Sequence, residues 1–272
     1  MRISRRVFLG TGVAGGLGLA AAGTYGFAYE SRRVTLTRAD VTVPGLPPAL
    51  DGARIGILTD LHHSALVPAS LIGDAARLLM AERPDFIALL GDYASWADRA
   101  YVGGCVEALA PLSAPSGVFA IVGNHDDERI MLRALTARGI EVLLDARTEV
   151  RIRGESIGLA GIRFWPKKAN DVRSVVTGAR HPTVLLAHDP RRLAEAAALG
   201  VPLMLSGHTH GGQVALPGLG APAARKYPIA QGVMRQGNTT LFVSRGVGTV
   251  LVPIRLNCPP EAAVVTLRCV PA

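Results

Sequence analysis

The side chains best suited to chemistry in this sequence form five short polar groups, each directly after an apolar run. The groups read Thr59-Asp60-Leu61-His62-His63, Gly91-Asp92-Tyr93, Gly123-Asn124-His125-Asp126, His188-Asp189 and Ser206-Gly207-His208-Thr209-His210-Gly211-Gly212. Carboxylate, amide and imidazole donors of this kind bind hard to borderline divalent cations. A bound cation concentrates positive charge where a phosphoryl group develops negative charge, and it supplies hydroxide near neutral pH. The groups therefore predict metal-assisted hydrolysis.

The spacing within two of these groups suggests a shared direction for their donors. Asp60 and His62 are two residues apart, so on an extended strand end both side chains would point to the same face. His208 and His210 repeat that spacing. We therefore expect both pairs to face the metal site.

Each of these residues also has an ordinary structural explanation. An aspartate after a strand often caps a helix, Asn124 alone would be a turn residue, and a single histidine is usually structural or exposed. Five of the seven histidines follow apolar runs, however, and separate structural explanations for all five are hard to sustain. The other two, His63 and His181, are interpreted as bystanders, although His63 could reach a substrate.

The elements that must position these groups follow from an alternation of patterns. Apolar runs that predict buried strands cover residues 55–58, 86–90, 118–122, 184–187 and 203–205, and helical stretches lie near 69–83, 99–110, 127–138 and 190–199. This alternation is typical of an α/β domain with largely parallel strands. A hairpin near residues 150–162 and a strand-rich tail at 241–243 and 263–267 complete one domain. Because ligands bind beyond the carboxyl ends of such strands, the polar groups should converge.

The first 29 residues are interpreted as a twin-arginine signal peptide or anchor. Arg2, Arg5 and Arg6 precede a stretch, residues 7–29, that has no charged side chain. Residues 4–9 resemble the twin-arginine pattern, and the alanines at 20–22 offer a cleavage site. An ordinary helix is an alternative, and cleavage and retention as an anchor stay open. We expect export to the periplasm, the cell wall or the outer face of the cytoplasmic membrane, with the metal bound before export.

Composition excludes several classes for the rest of the chain. With 49% hydrophobic and 18% charged residues it is globular rather than disordered. The net charge is +8, of which three charges lie in the first 29 residues; the remainder is only mildly basic and predicts no specific nucleic-acid partner. Three cysteines without metal-type spacing predict free thiols. Residues 30–50 are expected to be a linker with an edge strand, and residues 51–272 the main domain.

In order, the polar groups resemble the motifs of the calcineurin-like metallophosphoesterases. The matching motifs are Asp60-x-His62, Gly91-Asp92, Gly123-Asn124-His125-Asp126, His188 and Gly207-His208-x-His210. Gly207–Gln213, 244–248 and 255–261 are also similar to a bacterial branch of exported or membrane-associated phosphodiesterases, some of which resemble UDP-diacylglucosamine pyrophosphate hydrolases. The resemblance implies a four-layer α/β/β/α sandwich in which helices flank two mixed sheets.

The resemblance also implies roles for the individual residues. One ion would bind Asp60, His62 and His210, the other would bind Asn124, His188 and His208, and Asp92 would bridge them. His125 would stabilise the phosphoryl oxygens or protonate the leaving group, with Asp126 orienting it, and a bridging hydroxide would attack phosphorus. Mn²⁺ is the expected ion, with Zn²⁺ or Fe as alternatives.

Two departures and several open alternatives accompany this resemblance. Purple acid phosphatases need a tyrosine three residues after the bridging aspartate, where this chain has Ser95, and Tyr93 should point elsewhere. The role of Asp127 is open. We expect hydrolysis of a phosphodiester or pyrophosphate in a cell-envelope, nucleotide-linked or lipid-linked substrate. The alternatives are a phosphomonoesterase or phosphoprotein phosphatase, a nuclease and a catalytically silent envelope-binding protein; the oligomeric state is open.

Overall fold

The computed structural model describes residues 5–165 and 171–270. The α helices are α1 (Arg5–Ala28), α2 (Ala69–Met80), α3 (Val102–Ala108), α4 (Glu128–Thr136), α5 (Asp171–Val176) and α6 (Leu193–Ala198). The strands are β1 (Thr35–Thr42), β2 (Arg54–Leu58), β3 (Phe86–Leu89), β4 (Val118–Ala120), β5 (Glu141–Val142), β6 (Ala146–Ile152), β7 (Glu155–Gly161), β8 (Thr183–Leu186), β9 (Leu203–Ser206), β10 (Gly232–Gln236), β11 (Thr239–Val243) and β12 (Glu261–Arg268). Short 3-10 helices include Ser95–Ala97, Arg99–Tyr101 and His210–Gly212.

In the described part of the chain these strands form two six-stranded mixed sheets. Sheet 1 has the order β1-β12-β2-β3-β4-β5, and sheet 2 has the order β10-β11-β9-β8-β7-β6. β2 to β5 are parallel, as are β7, β8, β9 and β11, while β12 runs antiparallel to β2. The prediction of largely parallel strands is therefore confirmed, with antiparallel pairs at β2–β12, β6–β7 and β10–β11.

The continuous apolar runs are explained by burial on both faces of each sheet. Side chains alternate along a strand, so Ile55 and Ile57 of β2 enter a core between the sheets while Leu58 faces the helices. In sheet 2, Val184 of β8 lies in the inter-sheet core and Leu185 packs beneath the outer helices. The buried apolar side chains thus give four layers: α2 to α4, sheet 1, sheet 2, and α5 with α6. This is the predicted sandwich.

The N-terminal region continues directly into the sheet. β1 is the edge strand of sheet 1 and pairs in parallel with β12. Ahead of it, the buried Glu30 accepts a hydrogen bond from the backbone N–H of Cys258 at 2.6 Å. Residues 1–4 of the proposed signal lie outside the described residues. No helix among the described residues combines the length and apolarity needed to cross a bilayer.

Candidate metal centre

The predicted ligands come together where the carboxyl ends of the parallel strands of both sheets meet. β2 and β3 deliver Asp60, His62 and Asp92, and β8 and β9 deliver three further histidines. Ligand atoms fall into two groups, within each of which they lie within 4.8 Å of one another: Asp60 with His62 and His210, and Asp92 with His188 and His208. Each group contains the two histidines that the resemblance assigns to one ion, and Asp92, the expected shared ligand, falls in the second group.

The carboxylate of Asp92 lies between these two groups. Its Oδ2 atom is 3.5 Å from Nε2 of His62 in one group and 3.2 Å from Nε2 of His188 in the other. On the far side, Nε2 of His62 and Nε2 of His210 are 3.1 Å apart, and the latter is 3.2 Å from Oδ1 of Asp60. One carboxylate therefore faces donors of both groups, as a ligand shared by two cations must.

A buried oxygen atom supports binding of a cation here. Among the described residues, Oδ1 of Asn124 is buried and accepts no hydrogen bond, which is costly unless a ligand satisfies it. Asn124 belongs to the set expected for the second ion. The oxygen and nitrogen donors of the two groups fit divalent cations of intermediate hardness, and no thiolate competes among them.

Hydrogen bonds to the remote ring nitrogens hold two of the imidazoles in position. Nδ1 of His188 lies 2.6 Å from the carbonyl oxygen of Leu90, so Nδ1 carries the proton and Nε2 is left to bind a metal. Nδ1 of His62 lies 3.3 Å from the hydroxyl of Ser95. Ser95 occupies the position where purple acid phosphatases have a tyrosine. Here its hydroxyl orients the metal-ligand candidate His62.

The backbone at the site is not the extended strand end that the spacing suggested. Five predicted ligands have φ between 46° and 69°: Asp60, His62, Asp92, His208 and His210. This left-handed region costs free energy in residues other than glycine. The prediction that alternation along a strand aligns the pairs is therefore wrong, because strained turns beyond β2 and β9 bring them to the site.

Neighbouring loops hold this strained backbone in place. The amide N–H groups of Asp60 and His62 donate to the carbonyls of Gly91 and Asp92 at 2.9 and 3.0 Å. From the other side, the Gly248 amide donates to the carbonyl of Asp60 at 2.7 Å. Gly246, at φ 69°, must be glycine because a Cβ there would lie 2.5 Å from the Cβ of Asp60.

Burial leaves most of the imidazoles in the form that binds metals. It lowers the pKa of His62 to about 4 and that of His208 to about 3, and it lowers the pKa of His210 as well. These rings are therefore neutral at neutral pH, as metal binding requires.

His188 is the exception to this lowering of the imidazole pKa values, because the carboxylates of Asp92 and Asp60 face its ring. Burial would lower the pKa of His188, but the facing Asp92 and Asp60 outweigh it and raise that pKa to about 10. Burial also works against ionisation of Asp92, yet His188 and His62 hold the pKa of Asp92 below its usual range. The carboxylates thus attract positive charge strongly, and a divalent cation would compete with the proton for His188.

His125 lies at the edge of this cluster and is half-buried. Its ring centroid is 4.9 Å from that of His62 and 4.6 Å from that of Trp96. Its backbone N–H donates to Oδ1 of Asp92 at 2.8 Å, and its carbonyl accepts from the Ala97 amide at 2.7 Å. Burial lowers the pKa of its imidazole. The backbone therefore fixes Asp92, while the side chain is free to meet a substrate beside the metal groups.

Asp126 has a different contact pattern from the one expected. Its carboxylate accepts backbone hydrogen bonds from Asp92, Tyr93 and Gly123, each at 2.8 Å. The hydrogen bonds of the described residues include none between this carboxylate and the ring of His125. We therefore regard Asp126 as a positioning residue that joins the loops after β3 and β4.

Three other residues that the sequence left open have structural contacts. Asp127 caps α4 by accepting from the Ile130 amide at 3.2 Å. Nδ1 of His63 lies 2.8 Å from the carbonyl of Val67, so its ring is held by its own loop. The hydroxyl of Tyr93 donates to the Ile121 carbonyl at 3.0 Å, and its ring lies in the core beneath the helices, away from the metal groups.

Sequence reasoning missed the residues that build one wall of the site. Gln213 accepts from the Val250 amide at 2.6 Å and donates to the Val252 carbonyl at 2.9 Å. The fully buried Arg255 donates to the carbonyls of Arg245 and Gly246, both at 2.9 Å. Both lie in the motif segments 207–213 and 255–261, but only the fold shows that Gln213 holds the loop at residues 249–253 and that Arg255 holds the segment before it.

Comparison with known proteins gives a consistent result. Residues 53–212 match a family model described as calcineurin-like phosphoesterase. Phosphodiesterase YaeI of Escherichia coli (strain K12) is 34% identical over 224 residues, which cover 79% of this chain and 82% of that protein. The uncharacterized metallophosphoesterase YkuE of Bacillus subtilis (strain 168) is 29% identical over 282 residues, which cover 98% of each.

A solved structure agrees in fold. The sulfate thiohydrolase SoxB of Thermus thermophilus, in complex with glycerol, aligns with a TM-score of 0.50 at 15% identity. The alignment covers 82% of this chain and 57% of that chain. At this identity the likeness concerns the fold alone.

Proposed function

Because the chain belongs to the calcineurin-like phosphoesterase family, we propose that it hydrolyses phosphodiester or pyrophosphate bonds. It is a binuclear, metal-dependent phosphoesterase with two His/Asp ligand groups. The observation that carries the proposal is the position of Asp92 between these groups, with His125 beside them. Its relative YaeI, which bears the name phosphodiesterase, supports the choice of a diester.

The chain's own residues would divide the work as follows. The two ligand groups would hold divalent ions, which would supply Lewis-acid charge and an activated water. Asp92 keeps the groups together, and Ser95 and Leu90 orient two of the imidazoles. His125 would donate a hydrogen bond or a proton to a substrate oxygen at the mouth of the site, the usual part of a positioned imidazole.

We expect the purified protein to hold close to two divalent ions, with Mn²⁺ as the preferred activator. The donor set contains carboxylate, amide and imidazole groups, which suit Mn²⁺ better than a soft-metal site would. Elemental analysis should find the ions, and chelation should abolish hydrolysis that Mn²⁺ restores. With Mn²⁺ added, bis-nitrophenyl phosphate should be cleaved faster than nitrophenyl phosphate. Faster cleavage of the monoester would favour a phosphomonoesterase, and chelator-resistant hydrolysis would contradict the metal assignment.

We further propose that the protein is exported folded, by the twin-arginine route. The ligands come from loops that are distant in sequence, so the metal site exists only after folding and metal binding is coupled to folding. Export of the folded chain would let the metal be chosen before the protein reaches the envelope, where Zn²⁺ or Cu²⁺ could displace Mn²⁺. The motive in sequence is the pair Arg5 and Arg6 ahead of an uncharged stretch.

Replacing Arg5 and Arg6 together with lysine should leave an active protein in the cytoplasm. The change conserves charge, so a general signal or an anchor would tolerate it. Cell fractionation with a chelator-sensitive phosphodiesterase assay measures the outcome in each compartment. Arg32→Lys with Arg33→Lys, just beyond the uncharged stretch, is the matched control and should be exported normally. Unchanged export of the Arg5/Arg6 variant would contradict the proposal.

A further inference from the structure

A groove lined mainly by aliphatic and aromatic side chains, with Ser64, Ser95, Asp98 and Thr249 among them, opens beside His125. It has a volume of about 380 Å³ and lies between the loop after β2, the two 3-10 helices at residues 95–101 and the loop at 249–253. Its rim carries four large apolar side chains: Leu66, Trp96, Leu251 and Val252. We call this the apolar groove.

The apolar groove adjoins the metal centre through two of its lining residues. Ser95, in its wall, contacts the ring of the metal-ligand candidate His62 at 3.3 Å. Trp96, the next residue, stacks edge-on against the ring of His125 at 4.6 Å between centroids. A substrate whose phosphorus lies at the metal groups would therefore place one substituent at the entrance to the apolar groove.

The charge of the groove argues against a phosphate or nucleotide as its occupant. Among its described lining residues, Asp98 is the one charged side chain. Its carboxylate already accepts from the Ala100 amide at 3.0 Å, and its negative charge would repel a second phosphate group. An uncharged apolar substituent fits this lining better.

The rim residues are held in place although they are exposed to water. Their exposed fractions are 63% for Leu66, 65% for Trp96, 81% for Leu251 and 52% for Val252. Trp96 and Leu251 also have φ of 57° and 63°, a strained conformation for bulky side chains. Gln213 fixes the loop that carries Leu251 and Val252. A rim that is apolar, exposed and fixed is typical of a binding surface.

The end of helix α1 contacts the chain next to the loop at residues 249–253. The helix α1 contains the uncharged stretch, and near its end the carbonyl of Gly26 accepts from the amide of Arg255 at 3.2 Å. Arg255 also donates to the carbonyls of Arg245 and Gly246, and it lies two residues beyond Pro253 in the chain. The end of α1 therefore meets the chain directly after the segment that forms this wall of the groove.

We propose that the apolar groove binds an aliphatic chain attached to the substrate's phosphate, so that the substrate class is a lipid-linked phosphodiester. This inference rests on the proposed phosphodiesterase activity. Hydrolysis would form a bond from water oxygen to phosphorus and break the bond to the leaving group. The chain-bearing phosphate would stay in the groove, and the leaving group would depart with a proton.

A series of alkyl nitrophenyl phosphates tests the proposal through the dependence of kcat/KM on chain length. Partial burial of each methylene should raise kcat/KM about twofold, or on the order of 10²-fold from the methyl to the octyl ester. Val252→Asp should bring the octyl-to-methyl ratio close to one. Val270→Asp is the matched control, since Val270 is 55% exposed and follows Cys269, whose amide donates to Asp51 near the start of β2. This variant should keep the wild-type ratio.

If the methyl ester is hydrolysed but kcat/KM does not change with chain length, the groove assignment is overturned and the proposed function stands. A second measurement needs no turnover. In the variant Trp165→Phe, bromodecyl phosphate added below its micellar concentration should quench the fluorescence of Trp96. This quenching should be lost in the double variant Trp165→Phe/Val252→Asp. In the variant Trp96→Phe, the same titration should leave the fluorescence of Trp165 unchanged. Absence of saturable quenching of Trp96 would overturn the inference, even if no ester in the series is hydrolysed.

Discussion

Asp92→Ala is expected to lose bound metal and activity together, with kcat/KM falling on the order of 10³-fold or more. Its Oδ2 atom faces ligands of both groups, at 3.5 Å from His62 and 3.2 Å from His188. Removing the shared carboxylate takes a negative charge from both ions at once, and the ions supply several kcal/mol of transition-state stabilisation. Elemental analysis and steady-state kinetics on the same preparation measure the two losses.

Asp92→Asn separates this effect from misfolding. The amide oxygen can still accept the hydrogen bond that the backbone N–H of His125 donates to Oδ1, while the charge is gone. The melting temperature of each variant should be the same with and without chelator, whereas metal binding should raise the melting temperature of the wild type. Asp74→Ala, which removes an exposed partner of Arg77 on α2, should keep both ions. A variant at position 92 that retained two ions would contradict the shared-ligand assignment.

His125→Ala is expected to keep both ions and to lose about 10²–10⁴-fold in kcat, the usual contribution of a positioned proton donor. The contacts through which His125 supports the site are made by its backbone, to Asp92 and from Ala97, and alanine preserves them. Only the imidazole at the mouth of the site is removed. Metal content, kcat and KM measured together distinguish a chemical role from a structural one.

The choice of leaving group distinguishes two roles for His125. If His125 protonates the leaving group, the variant should lose more activity on a diester with a poor leaving alcohol than on a nitrophenyl ester, whose leaving group needs little protonation. An equal loss on both substrates would favour stabilisation of the phosphoryl oxygens. His181→Ala, on the half-exposed loop before β8, is the control and should match the wild type. Loss of ions from His125→Ala would make His125 a ligand and the assignment wrong.

The fold class was predicted from the sequence, and the roles of the site residues stay predictions. Each ligand group follows a run whose apolar character reports burial on both faces, so local sequence marks both the strand and its end. The strands β5 and β10 and the helix α5 were not predicted. β10 has an exposed, mixed pattern, and the six residues of α5 are too few for a periodic signal.

By itself, the sequence determined most of the buried strands, the polar side chains that end them and the order of the candidate ligands along the chain. Those properties are local, because double-sided burial and donor chemistry are written in consecutive residues. The tertiary structure alone decided that β12 enters sheet 1 between β1 and β2. It also decided that left-handed turns, rather than extended strands, orient Asp60 and His210. Finally, it decided that Gln213 fixes the loop that lines the apolar groove. Each of these depends on contacts between segments far apart in the chain, whose free energy no local pattern contains.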